Sequence, residues 1–231
     1  MDPALTPAAA PPPGHESNFV NPPDLMPAVI ASLVVIQVIT ILFISARAYV
    51  NIITRTVRPE DILSYLSYCA LTAQMILICM ASLNGTARHI WDVSMASLIP
   101  GIRLYNFVFI FYTISGGLAK ACVFLQLKRI FTTILRGVVY WIIIGSFTVN
   151  AIAYTIFFFL YVFACTPREK IWNSATPGTC LDLNKLHMGT GFANIISDIE
   201  AFVVPVWAIW QLRLTVRKKL EVFAVFAIGA L

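Results

Sequence analysis

The chain has 231 residues, of which 59% are hydrophobic and 12% charged, and its net charge is +5. Soluble domains carry about a quarter charged residues, so this composition supplies too little polar surface for a water-soluble fold. The positive charge sits between long apolar stretches, as in loops that border a membrane, and is no sign of nucleic-acid binding.

In chain order, residues 1–26 come first, rich in Pro and Ala and free of Lys and Arg. They are expected to form a disordered external tail. Lacking a basic start and a cleavage pattern, they do not resemble a signal peptide, so the first apolar run would itself direct insertion. Apolar runs follow at 27–46, 62–83, 104–127, 138–164 and 186–212. A helix rises about 1.5 Å per residue and needs roughly 20 residues to cross some 30 Å of hydrocarbon, a length all these runs reach. A sixth run, 222–231, reads as a span cut short where the sequence stops. In hydrocarbon the backbone must satisfy its own hydrogen bonds, and unbroken runs favour helices over a barrel. The expected fold is therefore all-α, a polytopic transmembrane helical bundle with five full spans plus a truncated sixth, occupying residues 27–231.

Loop charge sets the expected orientation. The first, third and fifth connectors hold ten basic residues, among them Arg47, Arg58 and Arg129, and the second and fourth hold five. By the positive-inside rule the N-terminus lies outside and the basic loops inside, in a membrane expected to be the plasma membrane.

The second and fourth connectors then face an oxidising compartment. Cys69, Cys79 and Cys122 lie within spans and read as small apolar fillers. Cys165 and Cys180 bracket the fourth connector, where a disulfide would close a loop of about 15 residues and stabilise by roughly 3 kcal/mol. The alternative is two free thiols. Asn84, in Asn84-Gly85-Thr86, matches a glycosylation acceptor on the same side, though close to the membrane.

An ionised group in hydrocarbon costs at least about 2.5 kcal/mol, so Lys120, Asp198 and Glu200 stand out. Both the third and fifth runs are expected to pass from outside to inside, and helical side chains lean toward their own N-terminus. Lys120 would thus point back toward mid-membrane, where Asp198 could meet it. Glu200 lies about 200° round the helix from Asp198, so the two acids cannot share a partner. The competing arrangement has Lys120 reaching the inner headgroups and the acids lining a water-filled cavity or standing protonated. Asn194 shares a face with Asp198, as Asn150 does with Tyr154, and such groups hydrogen-bond between helices for about 0.6 kcal/mol each. Gly116 and Gly117 would admit a neighbouring helix closely, and Pro205 would kink the fifth span. No nucleophile elbow, metalloprotease motif or phosphate-binding glycine loop occurs, and His15, His89 and His187 are the only histidines. An enzyme is not expected.

Several segments together resemble the fungal rhodopsin-like domain family of seven-span integral membrane proteins. Pro59-Glu60-Asp61 stands where that family has paired acids at the start of its second span. The stretch 88–93, with His89, Trp91 and Asp92, resembles its outer-loop His-x-Trp pattern. Lys120 with Lys128-Arg129-Ile130-Phe131 is similar to its third-span stretch, and Cys165, Trp172 and Cys180 to its Cys and Trp outer loop. Asn194, Asp198, Pro205 and Trp207 match its fifth-span signature. The paired acid here is Glu-Asp, and Asn84-Gly85-Thr86-Ala87 replaces a glycine-rich approach to the histidine. The resemblance implies an incomplete seven-helix, receptor-like bundle in a cell-surface membrane. Retinal is not implied, because the lysine that carries it in retinal proteins lies on a seventh span, whereas Lys120 lies on the third; no cofactor or metal is expected. Two functions follow as expectations. One is a receptor for an external small molecule or surface cue, with basic inner loops meeting a cytoplasmic signalling protein. The other is an ion- or proton-coupled transporter using Lys120, Asp198 and Glu200.

Overall fold

The computed structural model describes residues 6–132, 137–173 and 175–211. The sixth apolar run, 222–231, and the basic residues at 213–219 lie outside the described residues. Five long helices account for the architecture: α1 (Met26–Thr54), α2 (Pro59–Ala81), α3 (Met95–Thr132), α4 (Val138–Val162) and α5 (Leu183–Gln211). Among the described residues, α1 to α4 are long and apolar enough to cross a membrane. α5 is as long as α1, at 29 residues. It is more polar, carrying Lys185, Asp198 and Glu200, and runs unbroken through Pro205.

The all-α expectation for a membrane bundle holds at this level, and α3 is its centre. It packs against α2, α4 and α5, while α1 rests on α2. α1 buries none of its residues, and Val34, Val35, Ile39 and Leu42 face outward. In water such a face would be a liability; against lipid tails it is the ordinary surface. α1 is held by polar bonds instead: Gln37 Nε2 donates to Tyr68 Oη at 2.7 Å, Asn51 Nδ2 to Tyr65 Oη at 3.0 Å, and Arg47 Nε to Asp61 Oδ1 at 2.7 Å. α2 starts cleanly because Pro59 needs no N–H partner at the first helical position and Asp61 Oδ2 accepts from the Arg58 N–H at 2.9 Å. It ends in a π-helical turn, Ser82–Thr86, where Gly85 takes φ +96°. A side chain there would be strained and would press on Val93.

The two ends of the bundle differ. At one, here the tail end, α3 begins and α4 ends; at the other, the basic end, Arg47, Arg58 and Arg129 gather. At the tail end a two-stranded antiparallel pair, β1 (Cys165–Thr166) and β2 (Thr179–Cys180), aligns Cys165 with Cys180, and the two form a disulfide. The N-terminal tail, whose composition suggests disorder, follows a defined path in residues 6–25. Ala8 N donates to Val93 O at 2.9 Å, Met95 N to Thr6 O at 3.1 Å, and Leu25 N to Ala87 O at 3.0 Å. Asp24 pairs with Arg88 at 3.1 Å. The connector between α2 and α3 pairs part of its own backbone, Arg88 N with Gly85 O and Asp92 N with His89 O, and the tail supplies partners for Ala87 O, Val93 O and Met95 N.

Candidate functional site

Two apolar clusters lie in the α3–α4–α5 interface, one near each end. Toward the tail end Ile110, Tyr161 and Leu186 are buried together; toward the basic end Phe124, Leu127, Phe131, Val139, Ile143 and Val204 are. Between them α5 carries a stripe of polar side chains, His187, Thr190, Asn194 and Ser197 at spacings of three, four and three, with Asp198 four residues after Asn194, so that they share one broad face. From His187 to Asp198 the stripe runs about 16 Å along the helix.

Each member has a partner. Tyr161 Oη lies 2.9 Å from His187 Nδ1 and 3.1 Å from Thr190 Oγ1, and Phe109 stacks on the imidazole at 3.9 Å. One turn further in, Tyr154 Oη donates to Asn194 Oδ1 at 2.8 Å. The tyrosine is placed by Gly116 and Gly117, where an added Cβ would come within 3.0 and 3.1 Å of it. Below that, Lys120 Nζ donates to Asp198 Oδ1 as an ion pair across α3 and α5. Ser197 Oγ donates to Asn150 Oδ1, and Asn150 Nδ2 donates to Glu200 Oε2 at 2.8 Å and to the Ser146 carbonyl at 2.9 Å. Glu200 thus answers α4 while Asp198 answers α3, as their angular separation on one helix requires. The pair is asymmetric. The Lys120 side chain is 10% exposed, while 61% of Asp198 looks out on a face that no described residue covers.

A second polar group sits at the basic end. Arg47 holds Asp61, Arg129 Nη1 donates to Glu60 Oε1 at 2.9 Å, and Cys122 Sγ contacts the Glu60 carbonyl at 3.2 Å. A cavity of about 630 Å³ opens there, lined by Arg47, Asn51, Arg58, Asp61, Gln126 and Arg129. Among the described residues no group of His, Cys, Asp and Glu side chains is arranged to hold a metal.

The connector residues singled out in the sequence are not brought into one site. His89 and Trp91 stack on each other at 4.5 Å, and Asp92 is buried with Oδ1 accepting from Asn18 N at 2.8 Å, so it pins the tail. Trp172 instead lies beneath Arg103, 5.2 Å from ring centroid to guanidinium carbon. Asn84 Nδ2, the atom that would carry a glycan, donates to Met80 O at 2.8 Å. Sequence reasoning overlooked Tyr161, Ser197 and the pairing of both acids of α2 with arginines. The signal was present for the last, since Glu60 and Asp61 stand at the mouth of an apolar helix with arginines on its neighbours.

A bundle of apolar helices around a file of paired polar side chains defines a polytopic membrane protein, and the comparisons place it further. The fungal rhodopsin domain model matches residues 46–231, and the chain belongs to that family. It is 32% identical over 163 residues to a SAT4 family membrane protein of Emericella nidulans, covering 71% of this chain and 41% of that one. It is 28% identical to the fugralins biosynthesis cluster protein 2 of Gibberella zeae, covering 97% of this chain and 58% of that one. It is 24% identical to the polyenoic acids biosynthesis gene cluster protein Ba17b of Metarhizium anisopliae, covering 84% and 54% respectively. The chain therefore spans about two fifths to three fifths of the length of these relatives. No solved structure matches it.

Proposed function

We propose that this protein is a receptor-like sensor whose tail end meets a small molecule and whose polar file carries the response toward the basic end. In this reading α5 is a fifth span, the N-terminus and disulfide loop face outward across the plasma membrane, and the basic end faces a cytoplasmic signalling partner. The observation that carries it is the file itself. Polar side chains of α3, α4 and α5 pair in successive, separate layers over about 16 Å with an apolar cluster toward each end, so a shift at His187 and Tyr161 reaches Lys120 and Asp198 through the packing of neighbouring layers. The names of two relatives refer to biosynthesis clusters, which suits a small-molecule cue. The protein performs no chemistry on that molecule and uses no cofactor.

The same ion pair favours a second reading, an ion- or proton-coupled carrier, because buried charges in spans often mark transport paths. Reconstitution into liposomes separates the two. With a pH gradient and a membrane potential imposed, a sensor passes no more protons than empty vesicles, and Asp198→Asn changes nothing. A flux that Asp198→Asn abolishes would establish the carrier and end the sensor reading.

A further inference from the structure

The seam between the first turns of α3 and the disulfide loop holds two guanidiniums, and Glu169, next to Arg168 on the short helix, pairs with neither among the described residues. Arg103, Asn106 and Phe107 share a face of α3, and Arg168 and Trp172 stand four residues apart on and just beyond the short helix Arg168–Ile171. The two sets cross. Arg103 lies over Trp172 at 5.2 Å and Arg168 over Phe107 at 5.1 Å, which puts both cations in one seam. Among the described residues neither has a carboxylate at ion-pair distance. Arg168 Nη2 reaches Asn106 Oδ1 only at 3.4 Å, and Arg168 Nε is buried with no hydrogen-bond partner among the described residues.

Stacking on an aromatic ring satisfies the face of a guanidinium and leaves its N–H edge unanswered. A buried N–H without an acceptor is costly, and two neighbouring cations repel, so an anion between them relieves both penalties. The planar fork of arginine matches an oxyanion. Below the seam, Phe107 continues along α3 in the spacing of Ile114, Leu118 and Ala121, and these last three line an apolar groove between α3 and α4. That groove holds about 480 Å³, within the roughly 300–1,000 Å³ range of small-molecule pockets. Phe107 of the seam and Ile114 and Phe158 of the groove all pack against the same aromatic cluster, which connects the two.

We infer that the seam binds the oxyanion head of an amphiphile, carboxylate or phosphate, whose apolar chain lies along the α3–α4 groove. This rests on the reading of the tail end as the ligand-facing end and adds the chemical class of the ligand. The bland account, in which the two arginines merely clamp the loop onto α3, predicts no preference for charge.

The test uses the full chain in nanodiscs of neutral phosphatidylcholine. Its probes are the fluorescent polyunsaturated cis-parinaric acid and the methyl ester of that acid, with empty discs as background. Saturable binding of the acid, at least tenfold tighter than the ester, is expected. Arg168→Gln and Arg103→Gln should each weaken the acid several-fold and leave the ester unchanged, the retained ester binding showing that the groove is intact. Arg168→Lys keeps the charge and should fall between. Phosphatidic acid included in the discs distinguishes the sources: competition assigns the site to a bilayer lipid, and its absence to a free acid, either of which supports an oxyanion site. Equal affinity for acid and ester, an acid affinity indifferent to both glutamines, or no binding above empty discs overturns the inference. None of those results touches the sensor reading, which falls only on mutation-sensitive flux.

Discussion

The ion pair in the middle of the bundle and those at its basic end use the same chemistry at different depths. Lys120 and Asp198 meet where both neighbouring layers are apolar, and the lysine is the deeply buried partner. Arg47 and Asp61 meet beside an open cavity, and there the acid is buried, with the arginine 26% exposed. Water can compensate a charge stranded at the cavity but not one stranded between two apolar clusters. Depth, more than the presence of a pair, decides what each is worth. The basic-end pairs join α1, α2 and α3, whereas the central one joins α3 to α5, one turn along α5 from the Tyr154–Asn194 bond.

The sharpest way to break this contrast is to remove one central partner. Asp198→Asn strands a buried ammonium and is expected to destabilise by about 3–5 kcal/mol, the range for breaking a buried pair. Lys120→Met leaves the more accessible Asp198 and should cost less. The double variant should cost less than the sum of the two, as read from denaturant unfolding in detergent micelles; simple additivity would show that the pair contributes no coupling. At the basic end, Asp61→Asn removes a carboxylate that accepts from Arg47 Nε and the Arg58 N–H, and is expected to cost about 1.5–3 kcal/mol. Added salt should shrink that difference and leave the central one unmoved, because screening reaches only the pair beside water. If salt moves both alike, the distinction by depth is wrong.

The smallest effect belongs to the tail. The Met26 backbone N–H, followed by Arg88, holds the Asp24 carboxyl below its ordinary value of 3.8. Its folded value being lowered, its contribution is present above pH 3.8 and is lost as pH falls through the folded value. Hydrogen exchange at Leu25 and Arg88 should accelerate over that acid window while amides of α3 stay protected. An unchanged rate would mean that the backbone bonds hold the strap without the ion pair.

Much of this was legible in the residues. Runs of apolar side chains long enough to span hydrocarbon announce helices whatever their neighbours are, and the positions of Cys165 and Cys180 announced a bridge. Lys120 and Asp198 were legible as candidates because a charge in an apolar run needs a partner. Asp198 was legible as the partner of Lys120, but whether the two meet or Lys120 reaches the headgroups depends on the rotation of α3 against α5, which no local pattern specifies. The bonds of Tyr161 to His187 and of Ser197 to Asn150 were not legible, since tyrosine and serine are common in spans for many reasons. The path of the tail was missed for a related cause. Its composition describes what the segment can bury by itself, not the backbone groups that the neighbouring connector leaves open.

By itself, then, the order of residues determined that the protein lives in lipid as helices, because a polar backbone carried into hydrocarbon by apolar side chains must satisfy its own hydrogen bonds. It also determined where the charges that must be answered lie. Only the tertiary structure decided who answers them: Asp198 for Lys120, Asn150 for Glu200, Asp61 for Arg47, and no described carboxylate for Arg103 and Arg168. Such pairings join residues far apart in the chain, and they are settled by how helices rotate and cross when their surfaces interlock.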